Sequence, residues 1–194
     1  MSSCLNIIAK GNAKVISGDE IIYSDLIIYN QKDLKYILPK NFNFKDNKNN
    51  YYDGSSGEFS KDLSVATINN PKISLSDGSR IVGVELKRKG LIDIITKAAY
   101  SPCTSKIKLG NFMCPVWQVE DEKLLHDREK LFLYHKHSKM RILNLPVYYA
   151  PYLVSPSPLR KKRKSGFLNP KISLFFIDGQ TSQSVATPYY FALD

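Results

Sequence analysis

The histidines and carboxylates between residues 120 and 137 are where chemistry is sought first. His135 and His137 stand two apart, so on an extended strand they share a face and offer two metal-ligating nitrogens. A metal site needs a further close ligand and none is evident nearby, so the pair reads as solvent-facing. Glu120, Asp121 and Glu122 are consecutive, and a strand turns consecutive residues to alternate faces. They read as a solvated strand with lysine neighbours, not as an acid–base pair. His126-Asp127 falls in a charged turn and needs no catalytic explanation. The chain has no G-x-S-x-G elbow, no Walker loop, no G-x-G-x-x-G and no H-E-x-x-H. The expectation is a protein that binds rather than transforms, with no catalytic residue, no metal and no cofactor.

Charge is the next feature. The net charge is +10. Residues 1–99 carry 14 basic and 11 acidic side chains, whereas residues 100–194 carry 14 and 7. One run, Arg160-Lys161-Lys162-Arg163-Lys164, holds five of the positive charges. Such a run suits a nucleic-acid patch, the phosphates of lipid head groups, or a plain solvated surface. The aromatic platforms of RNA-binding motifs are not recognisable around it. Among the 3 cysteines, Cys103 and Cys114 flank a ten-residue loop. A local bridge there would stabilise by roughly 2–3 kcal/mol in an oxidising compartment; two unpaired thiols are the alternative.

The elements that would position these groups are strands. Short apolar runs alternate with polar turns, and helical periodicity is nearly absent. Glu20–Tyr29 is followed by Asn30-Gln31-Lys32-Asp33 and then Leu34–Leu38. The same alternation recurs, so the first leucine after a turn falls at 34, 63, 91 and 131, with spacings of 29, 28 and 40. Repeated hairpins, each too small to bury its own apolar face, predict a jelly-roll or solenoid-like stack. Several strands are apolar on both faces, as Ile21, Tyr23, Ile27 and Tyr29 against Ile22, Leu26 and Ile28 show. That pattern fits burial within a sandwich, or one face lining an apolar groove.

Residues 39–54 read as a polar loop rich in Asn and Lys. Pro146, Pro151, Pro156 and Pro158, interleaved with Tyr148, Tyr149 and Tyr152, predict an edge strand or linker. Gly166–Ile177 and Gln183–Leu193 read as two strands about Asp178-Gly179, each near the length of a transmembrane β-strand. No stretch reaches the roughly 18 apolar residues of a membrane-spanning helix. Met1–Lys10 lacks a signal-peptide pattern, so the expectation is a cytoplasmic chain or one whose start is not the natural start of an exported protein.

From Tyr100 onward the segments Tyr100-Ser101-Pro102-Cys103, Pro115-Val116-Trp117-Gln118-Val119 and His126-Asp127 stand in a telling order. Leu145–Tyr152 (LPVYYAPY), Lys162–Pro170 (KRKSGFLNP) and Pro188–Phe191 (PYYF) continue it. In order and spacing these resemble the LPS-assembly protein LptD family, also called organic solvent tolerance protein, in its alphaproteobacterial form. Residues 11–99 resemble the periplasmic OstA/LptA-type domain shared by several proteins of that transport system.

This resemblance implies an all-β fold: an OstA/LptA-like β-jelly-roll of stacked hairpins over residues 1–150, a Pro-rich basic linker over 151–165, and over 166–194 the first hairpin of a truncated outer-membrane β-barrel. It implies transport of lipopolysaccharide, received from an LptA-type periplasmic bridge and passed to a barrel partnered by an LptE-type lipoprotein at the outer membrane, periplasmic face. Ile92, Ile94, Trp117, Val119, Leu131, Leu133 and Ile142 become the candidate acyl-chain path. Arg160, Lys161, Lys162, Arg163 and Lys164 become candidate contacts to lipid phosphates, with no nucleic-acid partner. Cys103 matches the family's cysteine after Tyr, so its partner is either Cys114 or a barrel cysteine beyond this chain. A fragment is therefore expected. The alternatives are a stand-alone LptA-like carrier and a basic nucleic-acid-binding β-domain.

Overall fold

The computed structural model describes residues 6–102, 106–109, 112–160, 166–167, 171–177, 180–187 and 189–190. Every regular element among them is a strand. They fall into two compact units, residues 1–159 and 160–194.

In the first unit the strands are β1 (Asn6–Ser17), β2 (Glu20–Asn30), β3 (Lys35–Leu38), β4 (Phe42–Lys45), β5 (Tyr51–Gly54), β6 (Ser56–Ser60), β7 (Val65–Asn69) and β8 (Lys72–Ser74). There follow β9 (Arg80–Val82), β10 (Glu85–Lys89), β11 (Ile92–Ser101), the hairpin β12 (Lys106–Leu109) and β13 (Phe112–Pro115), then β14 (Trp117–Asp127), β15 (Phe132–Ile142) and β16 (Leu145–Pro156). All but β12 and β13 join one 14-stranded antiparallel sheet. The expected jelly-roll is present.

The sheet divides and rejoins. Residues 28–30 of β2 pair with β3, while residues 21–24 pair with β4. From β3 a first half-sheet runs through β6, β7 and β10 to residues 92–96 of β11. From β4 a second runs through β5, β8 and β9 to residues 99–101 of β11. Short hairpins thus alternate between the halves, and the long strands cross from one to the other. Those crossings need a bend, and each long strand carries a residue left out of the pairing there: Asp25 in β2, Lys97 in β11, Glu122 in β14, His137 in β15 and Pro151 in β16. Lys97 and His137 adopt φ of 49° and 51°, and β1 bulges at Gly11 and Asn12. One extra residue bends a strand and exchanges its faces.

The turns at the outer end of the first half-sheet are stacked. Leu34, Leu63 and Leu131 take left-handed φ of 51°, 59° and 57°, and Gly90 takes 59° in the corresponding turn before Leu91. Asn30 Oδ1 accepts from the amides of Lys32 and Asp33 at 2.9 and 3.1 Å, and Asp127 Oδ1 does the same for Glu129 and Lys130 at 3.0 and 2.8 Å. These side-chain caps stabilise the tight turn locally. Neighbouring turns then bond through the backbone: Lys61 N to Leu34 O, Gly90 N to Ser64 O, Arg128 N to Leu91 O and Ser157 N to Leu131 O, all at 2.8–2.9 Å.

Both halves face one apolar core. Ile22, Leu38, Phe44, Tyr52, Ile68, Ile81, Leu86, Ile95, Leu124 and Leu133 are fully buried in it. The expected loop over residues 39–54 is instead the hairpin β4–β5: Phe42, Phe44 and Tyr52 enter the core while Asn and Lys occupy the other face. Phe42 stands opposite Gly54, where a Cβ would lie 2.6 Å from its Cε1. Glycine there gives the ring its place.

The second unit contains β17 (Gly166–Phe167), β18 (Lys171–Ile177), β19 (Gln180–Ala186) and β20 (Tyr189–Tyr190). β18 pairs with β19 over seven residues, Lys171 opposite Ala186 to Ile177 opposite Gln180, and β17 pairs with β20.

Candidate functional site

The inward face of β11, β14, β15 and β16 can be read as rows across the register. Tyr100, Val119, Met140 and Tyr148 form one row; Ile95, Leu124, His135 and Leu153 form another; Asp93, His126, Leu133 and Ser155 a third. Along the first row exposure rises toward the sheet edge: Tyr100 is 8% and Val119 7% exposed, Met140 is half-buried and Tyr148 is 56% exposed. The inward face is therefore buried at β11 and β14, half-buried at Met140 of β15 and exposed at the β16 edge, the mouth of the sheet. β16 is an edge strand, which explains how it accommodates Pro146, Pro151 and Pro156. Leu145, Tyr148, Tyr149 and Tyr152 stand exposed along it.

The candidate path residues divide between faces. Val119 and Leu133 are inward and buried. Trp117 and Ile142 oppose one another across β14–β15, both half-buried, with Trp117 against the core. Leu131 ends a turn. Ile92 and Ile94 alternate with the buried Asp93 and Ile95, which places them on the outward face. There Ile94, Leu125, Tyr134 and Val154 make a half-buried apolar row.

His135 and His137 do not share a face, because the bend at His137 intervenes. His135 is buried: its Nδ1 lies 2.9 Å from Asp121 Oδ2 and its Nε2 lies 2.8 Å from Ser155 Oγ. His137 lies outside, bonded to Tyr149 Oη at 2.9 Å. Asp121 is correspondingly interior, unlike the solvated residue expected, while Glu120 pairs with Arg141 at 2.7 Å. Among the described residues no group of three His, Cys, Asp or Glu side chains is placed to hold a metal ion.

A second polar group closes the seam opposite the bend. Arg88 and Asp93 face each other across β10–β11 with Nε–Oδ1 of 2.7 Å and Nη2–Oδ2 of 3.1 Å, and both side chains are 1% exposed. The Arg128 Nε lies 3.4 Å from Asp93, and its Nη1 lies 3.8 Å from Asp46 in the β4–β5 turn of the other half-sheet. Lys48 Nζ donates to Arg128 O at 2.9 Å, and Tyr52 Oη donates to Asp46 at 3.2 Å. The Arg88 guanidinium also sits 4.6 Å from the Tyr52 ring centre.

Burial alone would raise the pKa of Asp93, but the Arg88 charge, its hydrogen bonds and Arg128 outweigh that and hold the carboxyl below its ordinary range. Burial lowers His126 to about 4; the Asp93 charge opposes this, while Arg128, Lys48 and Arg88 add to it. His126 Nε2 meets Ser157 Oγ at 3.2 Å. Sequence reading missed this network, although a charged pair placed symmetrically about the Gly90-Leu91 turn was a usable signal.

Arg160 is half-buried; Lys161, Lys162, Arg163 and Lys164 lie outside the described residues, as does Cys103. Cys114 is on β13 opposite Ile107.

No protein-family model matches the chain. It is similar to the LPS-assembly protein LptD of Pseudoalteromonas translucida, 29% identical over 133 residues, 64% of this chain and 16% of the relative. LptD of Legionella pneumophila strain Paris is 32% identical over 96 residues, 50% of this chain and 10% of the relative. LptD of Hahella chejuensis is 38% identical over 77 residues, 40% of this chain and 9% of the relative. The chain is LptD-like in sequence, and the matches span only 9–16% of these relatives' own length.

Proposed function

We propose that this chain acts in lipopolysaccharide assembly at the outer membrane, from its periplasmic face, with acyl chains held against the inward face of the jelly-roll. The observation that carries this reading is the apolar inward face that becomes exposed toward the β16 edge, in a chain similar to LPS-assembly proteins. Removing a methylene from water contributes about 0.8 kcal/mol, so a mouth lined by Trp117, Val119, Met140 and Ile142 can retain a long chain without any covalent step. The work is binding and transfer, not transformation.

In this reading an LptA-type bridge delivers the lipid. The β18–β19 hairpin begins a barrel that receives it with an LptE-type lipoprotein, and the basic run 160–164 meets lipid phosphates. Five cations near an anionic surface would contribute about 1 kcal/mol each.

Trp117 is the chain's one tryptophan and sits at the mouth, which supplies the test. Titration with purified lipopolysaccharide is expected to shift its emission to shorter wavelength and protect it from iodide quenching. Doxyl-labelled acyl chains should quench it. Emission that ignores both additions would overturn the reading.

A further inference from the structure

The second half-sheet carries a polar row on its outward face. Lys14, Tyr23, Asn43, Asp53 and Lys72 stand opposite one another in turn across β1, β2, β4, β5 and β8. Their neighbours along the strands, among them Ala13, Ile22, Phe44, Tyr52 and Ile73, are buried in the core. The row therefore lies on the far side of the sheet from the apolar interior. All five residues line a cleft of about 780 Å³, within the range of about 300–1,000 Å³ usual for small-ligand sites.

Asn12, Asp25, Asn41 and Asn70 line the same cleft. Asn12 belongs to the β1 bulge with φ of 45°, Asp25 is the unpaired residue at the bend of β2, and Asn70 precedes β8 with φ of 49°. The side chains of Asn12, Asp25, Asn41 and Lys72 form no hydrogen bond or ion pair with another described residue. Asn43 Nδ2 donates to Asp53 Oδ1 at 2.7 Å, which orients both groups and leaves Asn43 Oδ1 and Asp53 Oδ2 as acceptors.

The charges in the cleft cancel, with two lysines against two aspartates, so neither an anion nor a cation is favoured. What remains is hydrogen-bonding capacity. Each carboxamide offers a donor and an acceptor, the same pair that a sugar hydroxyl presents. Tyr23, 44% exposed, adds an aromatic surface, with Lys14 Nζ 5.3 Å from its ring centre. Successive strands stand about 4.8 Å apart, close to the repeat of an extended pyranose chain.

We infer that this cleft binds a neutral glycan chain laid across the strands. Asn43 and Asp53 accept from hydroxyls at the centre of the row, and Lys14 and Lys72 donate to hydroxyl or ring oxygens at its ends. The site is separate from the inward face, so its failure would leave the acyl-chain reading untouched.

Calorimetric titration of the whole chain with cellotetraose and with N-acetylchitotetraose tests this. At least one tetrasaccharide is expected to bind about tenfold tighter than its monosaccharide, because it spans the row. The double variant Asp25→Ala, Lys72→Ala should weaken that binding by about tenfold and leave the thermal midpoint unchanged, since neither side chain is bonded within the fold. Failure of both tetrasaccharides to bind overturns the inference, as does an affinity that the double variant retains. Displacement of the saccharide by inorganic phosphate would mark an anion site and overturn it equally.

Discussion

Asp93→Ala is expected to destabilise the jelly-roll by about 3–5 kcal/mol, a large part of the stability of a domain this size. The carboxylate is the shared partner of two guanidiniums, Arg88 at 2.7 Å and Arg128 at 3.4 Å, inside a site that water does not reach. Removing it leaves Arg88 charged and buried between Phe44 and Tyr52, with cation–π attraction as compensation. That attraction is worth about 2 kcal/mol when desolvated, too little to replace the lost ion pair. Arg128 keeps Asp46, but at 3.8 Å. Replacing Arg88 and Asp93 together by Met and Leu should recover most of the loss, because no unpaired charge then remains at their positions. Urea unfolding of the three proteins measures both effects. A single-variant loss below about 1 kcal/mol would mean that the seam is not held by these charges.

The second large effect is on pH dependence. His126 titrates at about 4 in the fold and at 6.5 as a free side chain. Between those values the unfolded chain takes up a proton that the native protein refuses, so stability falls as pH falls from about 6.5 toward 4. The interval corresponds to about 3 kcal/mol. Asp93 acts in a lower window: its stabilisation is complete above the ordinary carboxylate pKa and is lost as pH drops through its depressed value in the fold. Acid unfolding should therefore begin with His126 and finish with Asp93. His126→Leu is expected to flatten the upper window and leave the lower one. An unchanged slope between pH 6.5 and 4 in that variant would contradict the assignment.

The hairpin periodicity was legible because its punctuation is chemical. Three of the four leucines at 34, 63, 91 and 131 close a turn in left-handed conformation, and at the remaining turn Gly90 takes that role. Less legible was β4–β5, where Asn43, Lys45 and Tyr51 on the outward face disguise Phe42, Phe44 and Tyr52. Short strands with a polar outer face carry the weakest period-2 signal.

The bend defeated face assignment. Read as one uninterrupted strand, Glu20–Tyr29 puts Ile22 and Ile27 on opposite faces, yet both are buried because Asp25 exchanges them. The same device at His137 sends His135 inward and His137 outward. Buried Asp93 sits among Ile92, Ile94 and Ile95, where composition gives no reason to expect a charge; its cross-strand partner, Arg88, supplies the reason.

The candidate path inherits this phase problem, and the two faces make its most direct test. Met140 and Ile94 are both half-buried and apolar, the first inward at the mouth and the second outward. A photo-reactive phenylalanine analogue placed at each, in cells making lipopolysaccharide, compares the two faces. A lipopolysaccharide adduct is expected at position 140 and little or none at position 94. Equal labelling at both, or labelling at 94 alone, would contradict an acyl-chain path through the interior.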